Sequence, residues 1–282
     1  MLLLTSYNRM LRYFADNDED YNSTYRWKTR IENLIISISK KVENYLGYSL
    51  DIQSRTEYHD VNHNQQVFFT KAQTIQSLTS LYVDYTGLWD GSTESEIDDC
   101  YVGIDNKSVV LPVKLSQPTQ KGVRIIYTGG LAYDGVKTRI TVDDTTDWTV
   151  NRYAVGGTSG AVGIVSSVID GTALSIENLQ GIFEAGETIS QHSYEDPASR
   201  GSASATAVIS TIDRPSLVES YPDIVLAAEI EINYHFKHKN DYEMITDNRD
   251  GTSLRRDRFR KPETPFIEEV MQLLNPYRTV VL

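Results

Sequence analysis

The chain has 282 residues, and its 27 Lys and Arg against 39 Asp and Glu give a net charge of -12 at pH 7. This length allows one large domain or two ordinary ones, and the acidic charge disfavours nucleic-acid binding over the whole surface, which needs Lys and Arg to neutralise phosphates. Cys100 is the one cysteine, which excludes an intrachain disulfide and a cysteine metal cluster and is typical of a reducing compartment.

The first residues, MLLLTSYNRM, are apolar only briefly. They lack a basic n-region, a long apolar h-region and a small-residue cleavage site. Elsewhere no run approaches the roughly 18 to 20 apolar residues of a membrane span. We therefore expect a soluble protein with no membrane contact that is not exported by a signal peptide.

Two helices are predicted at the start of the chain. Thr5 or Ser6 can cap the first, whose apolar residues recur at steps of three and four and form one stripe. These are Tyr7, Met10, Leu11 and Phe14. The second helix runs from about Ser23, carries a long apolar face, and is closed by Gly47.

Residues 48–136 change to short β-branched and aromatic runs separated by turn residues, which is typical of strands. The runs are RTEYHDV, QQVFFT, SLTSLYVDY, SVVLPV and GVRIIYTGG. In the last run Val123, Ile125 and Tyr127 share one face of the predicted strand. Gly129-Gly130 then supplies a bend that a residue with a side chain would resist.

Residues 137–214 shift to Gly, Ser, Thr, Ala and Val, with almost no helical periodicity. Asp170-Gly171 is a hairpin signal, and Gly181 and Gly186 mark further breaks between short alternating runs. The pattern predicts a compact all-β module of roughly 80 residues.

Two more helices are predicted near the end of the chain. Pro222 and Asp223 suit a helical first turn, although the alternation of polar and apolar residues that follows favours a strand. In the last helix Thr264 is the predicted cap and Pro265 the first residue. Asn275-Pro276 should end it, because proline lacks an amide proton and restricts the residue before it.

Candidate metal ligands occur in an acidic stretch, DNDED. Asp16, Asp18 and Asp20 have the spacing of the first ligands of a calcium loop. Tyr21 and Trp27 stand where that loop needs a glycine and a glutamate. The pattern therefore favours an ordinary acidic loop between two helices over a calcium site.

Histidines offer two further candidate metal sites. His59, Asp60 and His63 lie in a predicted β-turn, where their side chains would point apart. His235 and His238 share a helical face, but no third ligand accompanies them. We expect structural roles for these residues, with no metal and no cofactor.

Catalytic motifs are incomplete. GGTSG lacks the flanking glycines of a nucleophile elbow around Ser159, and neither a phosphate-binding loop nor a dinucleotide fingerprint is present. Carboxylates are plentiful, but nothing selects a pair for glycoside hydrolysis. We expect that the protein is not an enzyme and has no catalytic residues.

One strongly basic stretch, RRDRFRK, stands out in this acidic sequence. It is interpreted either as a solvated loop or as a binding surface. Among binding roles, docking of an acidic neighbour such as another subunit is favoured over nucleic acid, because the charge of the stretch opposes that of the protein. The basic residues are Arg255, Arg256, Arg258, Arg260 and Lys261.

The order of these elements resembles the head-to-tail connector proteins of tailed bacteriophages, also called adaptor or head-completion proteins. The similar phrases are KVENYLGYSL, IQSLTSLYVD, VRIIYTGGLA and FIEEVMQLLNPYR. YPDIVLAAEIEINYHF stands where the family has a helix that begins with proline and an acidic residue, so we predict a helix there. The resemblance covers about residues 5–136 and 215–278. The β-module departs from the short family members and looks like a module that recurs in phage virion proteins.

The resemblance implies an α+β fold. Residues 1–136 and 215–282 would form a small helical connector domain with a short antiparallel β part, and residues 137–214 an inserted all-β domain on its outside. It also implies a ring, typically of twelve copies, beneath the portal protein at the DNA exit of the phage head, with neck or tail proteins below. Such a virion protein is assembled in the host cytoplasm and has no catalytic activity.

Two hypotheses follow from the resemblance. The tail would add to the portal as an extended strand, with avidity from repetition around the ring, unless it packs on its own subunit. Its residues are Tyr277, Arg278, Thr279, Val280, Val281 and Leu282. Genomic DNA would pass through the ring without specific binding, because acidic side chains in the lumen, such as those of DNDED, repel phosphate.

An alternative function is that of a carbohydrate- or receptor-binding virion module. The β-module would then be the functional part. Trp148, Tyr153 or Tyr194 would stack on a sugar ring.

Overall fold

The computed structural model describes residues 2–16, 25–72, 74–195, 200–237 and 265–278. Within these residues the chain divides into two compact units. Gly47–Tyr133 forms the first, and Leu2–Leu46 with the chain from Asp134 onward forms the second. The helices thus share a unit with residues 137–214, whereas the sequence prediction grouped them with residues up to 136.

The described part of the first unit has seven strands in two antiparallel sheets. One sheet has the order β1-β7-β3-β4 and the other the order β2-β6-β5. The strands are β1 Gln53–Val61, β2 Gln65–Phe69, β3 Ile75–Val83, β4 Ser95–Glu96, β5 Tyr101–Val102, β6 Ser108–Leu115 and β7 Thr119–Gly129.

Alternation along the strands builds the core of the first unit. Val123, Ile125 and Tyr127 of β7 are fully buried, which confirms the predicted burial of this face. They pack with apolar side chains of both sheets, among them Phe68. The Tyr127 hydroxyl donates to Glu57 Oε1 at 2.5 Å, so the one polar group of this ring is satisfied inside the core.

The predicted bend after β7 is confirmed at Gly130. Its φ of +144° is one that residues with side chains rarely adopt. A Cβ there would lie 2.2 Å from the Asp51 carbonyl oxygen. Glycine is therefore required both by the backbone conformation and by the close approach of another backbone segment.

The second unit contains a closed six-stranded antiparallel barrel of order β10-β11-β8-β13-β12-β9. Its strands are β8 Lys137–Val142, β9 Tyr153–Gly156, β10 Val162–Asp170, β11 Ala173–Gln180, β12 Thr188–His192 and β13 Ala205–Arg214. Asp170-Gly171 forms the predicted hairpin, in which the Asp170 carboxylate accepts from the Thr172 amide at 2.8 Å. Closure pairs every strand on both sides and leaves no open sheet edge.

The helices of the second unit come from both ends of the sequence. They are α1 Tyr7–Asp16, α2 Tyr25–Leu46, α3 Leu217–Ser220, α4 Pro222–Lys237 and α5 Glu268–Leu274, followed by a 3₁₀ turn, Asn275–Tyr277. Gly47, with φ +85°, ends α2 as predicted. α5 begins three residues after the predicted Pro265 and ends at Leu274, directly before Asn275-Pro276 as predicted; the chain continues as the 3₁₀ turn. None of the helices in the described ranges is long and apolar enough to cross a membrane.

The predicted fold class, a small helical connector with a short antiparallel β part, is wrong. The structure is 39% strand and 25% helix, with thirteen strands in three sheets among the described residues. The segment 48–136 is not a minor β part, because it has seven strands and an apolar core of its own. The alternating runs indicated those strands, but alternation along one strand does not show how many strands share a core.

Candidate partner-binding site

α4 holds the helices together through two buried carboxylates. Glu231 has a fully buried side chain that accepts from Lys41 Nζ of α2 at 3.0 Å and lies 3.1 Å from His235 Nε2. The Ile267 amide, just before α5, donates to its other oxygen at 3.4 Å. Burial alone would raise the pKa of Glu231, but the hydrogen bonds from His235 and Lys41 outweigh burial and lower this pKa. Glu231 is therefore a charged hub between α2, α4 and the start of α5.

Glu229, two residues earlier, ties α4 to α1. It accepts from Thr5 Oγ1 and from Arg9 Nε, both at 2.8 Å. The Arg9 guanidinium also donates to the backbone carbonyl of Asn178 in β11 at 2.9 Å. A single arginine therefore links α1, α4 and a barrel strand.

The polar side chain of Asn178 joins the barrel to α3. Its Nδ2 donates to Thr138 Oγ1 at 2.7 Å and to Ser216 Oγ at 3.0 Å. The Glu219 carboxylate, on α3, receives a further bond from Thr138 Oγ1 at 2.5 Å. β11 thus contacts helical segments that precede and follow the barrel in the sequence.

The root of the C-terminal segment is held by the helical layer. Tyr277 donates its hydroxyl to Asp223 Oδ2 at 3.2 Å and packs edge-on against Tyr221. Burial, and then the Asp223 carboxylate, raise the pKa of Tyr277. The Arg278 guanidinium lies 5.0 Å above the ring of Tyr45 in α2. Tyr277 and Arg278 are therefore both held by the helical layer.

Only part of the predicted portal-binding set falls within the described residues. Tyr277 and Arg278 are brought together on the start of α4 and the end of α2, as given above. Thr279, Val280, Val281 and Leu282 lie outside the described residues. So does the basic patch Arg255, Arg256, Arg258, Arg260 and Lys261.

The candidate metal ligands are dispersed. His59 and Asp60 belong to β1 instead of the predicted turn, because β1 continues to Val61, and His63 lies in the turn that follows. His59 Nε2 is 3.4 Å from Glu57 Oε2, and His63 Nδ1 is 2.8 Å from the Ser116 carbonyl. In the part of the chain that the structure describes, no three His, Cys, Asp or Glu residues are grouped to hold a metal ion. Asp18, Asp20 and His238 are outside that part.

Ser159 has a structural partner in the barrel. Its hydroxyl donates to the buried carboxylate of Glu187 at 2.9 Å, and its backbone amide donates to the same group at 3.1 Å. The amides of Thr158 and Glu184 also donate to this carboxylate, at 3.2 and 2.7 Å. The GGTSG turn is thus fixed to the start of β12 by one carboxylate.

The three aromatic rings proposed for sugar stacking have different environments. Trp148 is 7% exposed and belongs to the barrel core, so its faces are covered. Tyr194 is exposed. Tyr153 lines a cleft of about 410 Å³ beside α1, where Arg12 is already bonded to Glu195 and Gln180. Trp148 is therefore not available on an open surface for stacking on a sugar.

Sequence reasoning missed an organised loop in the first unit. Asp84, fully buried, accepts from the amides of Thr86 and Trp89 and from Thr93 Oγ1, each at 2.8 Å. Burial favours a raised pKa for Asp84, but these hydrogen bonds dominate and hold the pKa far below its ordinary value. An Asp followed two residues later by Thr is the sequence signal of such a turn. Leu88, at the loop, stays exposed.

Comparison of the sequence with protein-family models and with curated proteins gives no match.

Proposed function

We propose that this chain is a structural virion protein, an adaptor that forms a ring between the portal at the capsid vertex and the neck or tail of a tailed bacteriophage. One observation carries the proposal. The helices from the two ends of the sequence pack into a single unit, and this unit holds the root of the C-terminal segment through Tyr277 and Arg278.

The helical layer supports the resemblance on which the proposal rests. The four longer helices occupy the stretches that resemble connector proteins. α4 in particular forms a helix that begins with proline and an acidic residue, Pro222 and Asp223. Since Glu229 and Glu231 join it to α1, α2 and the start of α5, these helices form one structural body suited to a ring wall.

The fixed root supports strand addition to the portal. Arg278 is extended, with ψ 131°, and the residues that follow it, Thr279 to Leu282, have high β propensity. Holding the base of a binding segment reduces the conformational entropy that is lost on binding. Repetition of this segment around a ring would raise the overall avidity.

In the proposed role the protein acts by association and not by catalysis. Its partners are the portal protein, neck or tail proteins, and copies of itself. The net charge of -12 favours passage of genomic DNA without adhesion, since acidic surfaces repel phosphate.

The test compares two truncations of the purified full chain. We expect deletion of residues 279–282 to abolish attachment to portal-bearing heads while ring formation, seen by electron microscopy, is retained. Deletion of residues 277–282 should also loosen the start of α4, since Tyr277 bonds to Asp223. Undiminished attachment of either truncated ring contradicts the proposed role of the segment, and wild-type protein that stays monomeric at every concentration contradicts the ring.

A further inference from the structure

Exposed apolar side chains gather on the three-stranded sheet of the first unit. Phe69 of β2 is 67% exposed and Val67 of the same strand is 39% exposed. Tyr101 of β5 is 58% exposed, and Ile104, just after β5, is fully exposed. Concentrations of this kind mark interaction surfaces, whereas single exposed apolar residues do not.

The pairing of β2 shows that its outer edge also presents backbone groups. The Thr70 amide donates to the Lys107 carbonyl at 2.8 Å, so this pair is hydrogen-bonded across the two strands. Because such pairs alternate in an antiparallel ladder, Val67 and Phe69, which pair with Val110 and Ser108, direct their amides and carbonyls away from β6. Among the described residues, the one group that bonds to this edge is the Gln65 side-chain amide, which donates to the Val67 carbonyl at 3.2 Å.

β2 lacks the features that protect edge strands from pairing. Its sequence, QQVFF, contains no lysine, no other charge and no proline. Natural proteins place such residues on free edges to prevent association with other chains. An unprotected edge that is also apolar is suited to receive another polypeptide.

The two edges of this sheet have opposite charge. Lys71 follows β2, and Lys114 precedes Leu115, which pairs with Gln65 of β2. Both lysines are exposed and have no ion-pair partner within the described ranges. Lys71, just after β2, and Lys114, on the neighbouring strand β6, therefore place two positive charges near an edge strand that carries no charge itself.

The opposite edge, at β5, is acidic. Asp98 and Asp99 immediately precede β5 and are exposed, again without an ion-pair partner in the described part of the chain. Burial, and then these two carboxylates, raise the pKa of the Cys100 thiol beside them. Tyr101 and Ile104 supply exposed apolar surface at this edge.

We infer that the β2 edge of one copy of this chain is covered by the β5 edge of the next copy. Lys71 and Lys114 would face Asp98 and Asp99 of the neighbour, and the exposed apolar residues of the two edges would be buried between them. Two different surfaces of the same chain meet in this contact, and such head-to-tail contacts form a ring when the rotation between successive copies closes. The inference rests on the proposed ring and names the surfaces that build it.

Charge reversal of the full chain tests the contact. Lys71→Glu with Lys114→Glu makes both edges acidic, and Asp98→Lys with Asp99→Lys makes both edges basic. Each variant alone should self-associate at least about tenfold more weakly than wild type, because like charges then face each other. Sedimentation velocity and native mass spectrometry of the purified proteins measure this.

An equimolar mixture of the two variants gives the sharpest result. Each edge of one variant is then complementary to an edge of the other, so the mixture should recover assemblies in which the two alternate. Phe69→Ser, at an exposed position, should weaken association without lowering monomer stability. The control is Lys40→Glu with Lys137→Glu, which changes the charge equally at exposed lysines of the second unit and should leave association unchanged.

The outcomes separate this inference from the proposed function. Rings of wild-type stability from both reversed variants, or a folded mixture that does not recover association, overturn the edge contact while leaving the adaptor ring in place. Equal loss of association in the Lys40/Lys137 control overturns it as well, since the effect would then be one of total charge. A wild-type chain that never assembles overturns both.

Discussion

Lys41 and Glu231 form an ion pair whose two members differ greatly in burial, and this predicts unequal effects of removing them. The Glu231 side chain has no solvent exposure, whereas Lys41 is 30% exposed and His235 is 29% exposed. If Glu231 is replaced by Gln, the partly exposed Lys41 ammonium can return to water. If Lys41 is replaced by Met, a buried carboxylate loses its main counter-charge.

The magnitudes follow from these exposures. Glu231→Gln should lower the free energy of unfolding by about 1 to 2 kcal/mol, the cost of weakened hydrogen bonds to partly solvated groups. Lys41→Met should cost about 3 to 4 kcal/mol, since it leaves a buried charge poorly compensated. It also removes the ammonium that lies 4.3 Å above the Phe266 ring, worth roughly 0.5 to 1 kcal/mol.

Guanidinium unfolding followed by far-UV circular dichroism measures both variants, because the described helices belong to the second unit. If the slope of the unfolding free energy against denaturant concentration is unchanged, the substitution has altered stability and not the compactness of the unfolded state. The double variant should be less destabilised than the sum of the single variants, since the residues are in contact. A Glu231→Gln cost equal to or above that of Lys41→Met refutes the reasoning.

Three further predictions concern the first unit. Gly130→Ala should lower the free energy of unfolding by about 2 to 3 kcal/mol through backbone strain, as measured by chemical denaturation. The control is Gly171→Ala, which should leave stability nearly unchanged because a Cβ there meets no atom within 4 Å. Tyr127→Phe should cost about 1 to 2 kcal/mol because it leaves the buried Glu57 carboxylate without its hydroxyl donor; a change below the error of the unfolding curve contradicts this role. The folded-state pKa of Asp84 is depressed, so the stability that its carboxylate contributes is present above its unfolded pKa of about 3.9 and is lost as the pH falls through the folded pKa. In thermal melts below pH 4, Asp84→Asn should therefore lose less stability per unit of pH than wild type. Equal pH dependence in the two proteins contradicts the role of Asp84 in the loop.

α4 shows how much of the fold the sequence predicts. The alternation from Glu229 to Phe236 favours a strand, but the structure confirms the helix that was predicted from Pro222, Asp223 and the family resemblance. The alternation misleads because Glu229 and Glu231 face the interior. Their partners, Arg9 and Lys41, lie far away in the sequence, so no local pattern identifies these glutamates as buried.

The β-rich segments show the same division between local and distant information. Asp170-Gly171 and Gly130 were predictable because turn geometry depends on adjacent residues. The two sheets of the first unit, and the pairing of β8 with β13 in the barrel, depend on contacts between residues far apart in the sequence. The proposed edge contact could not be predicted from the sequence either, because Phe69 is exposed only since β2 lies at the edge of its sheet.

The bonds of Arg9 and Asn178 bear on how freely the barrel could be exchanged during evolution. A module joined to its host only by two chain crossings can be gained or lost without altering the remainder. Here a strand in the middle of the barrel supplies carbonyl acceptors to α1 and an amide to α3. Excising residues 137–214 would leave Arg9 and Ser216 without these partners, so the helical layer is expected to lose stability when the barrel is removed.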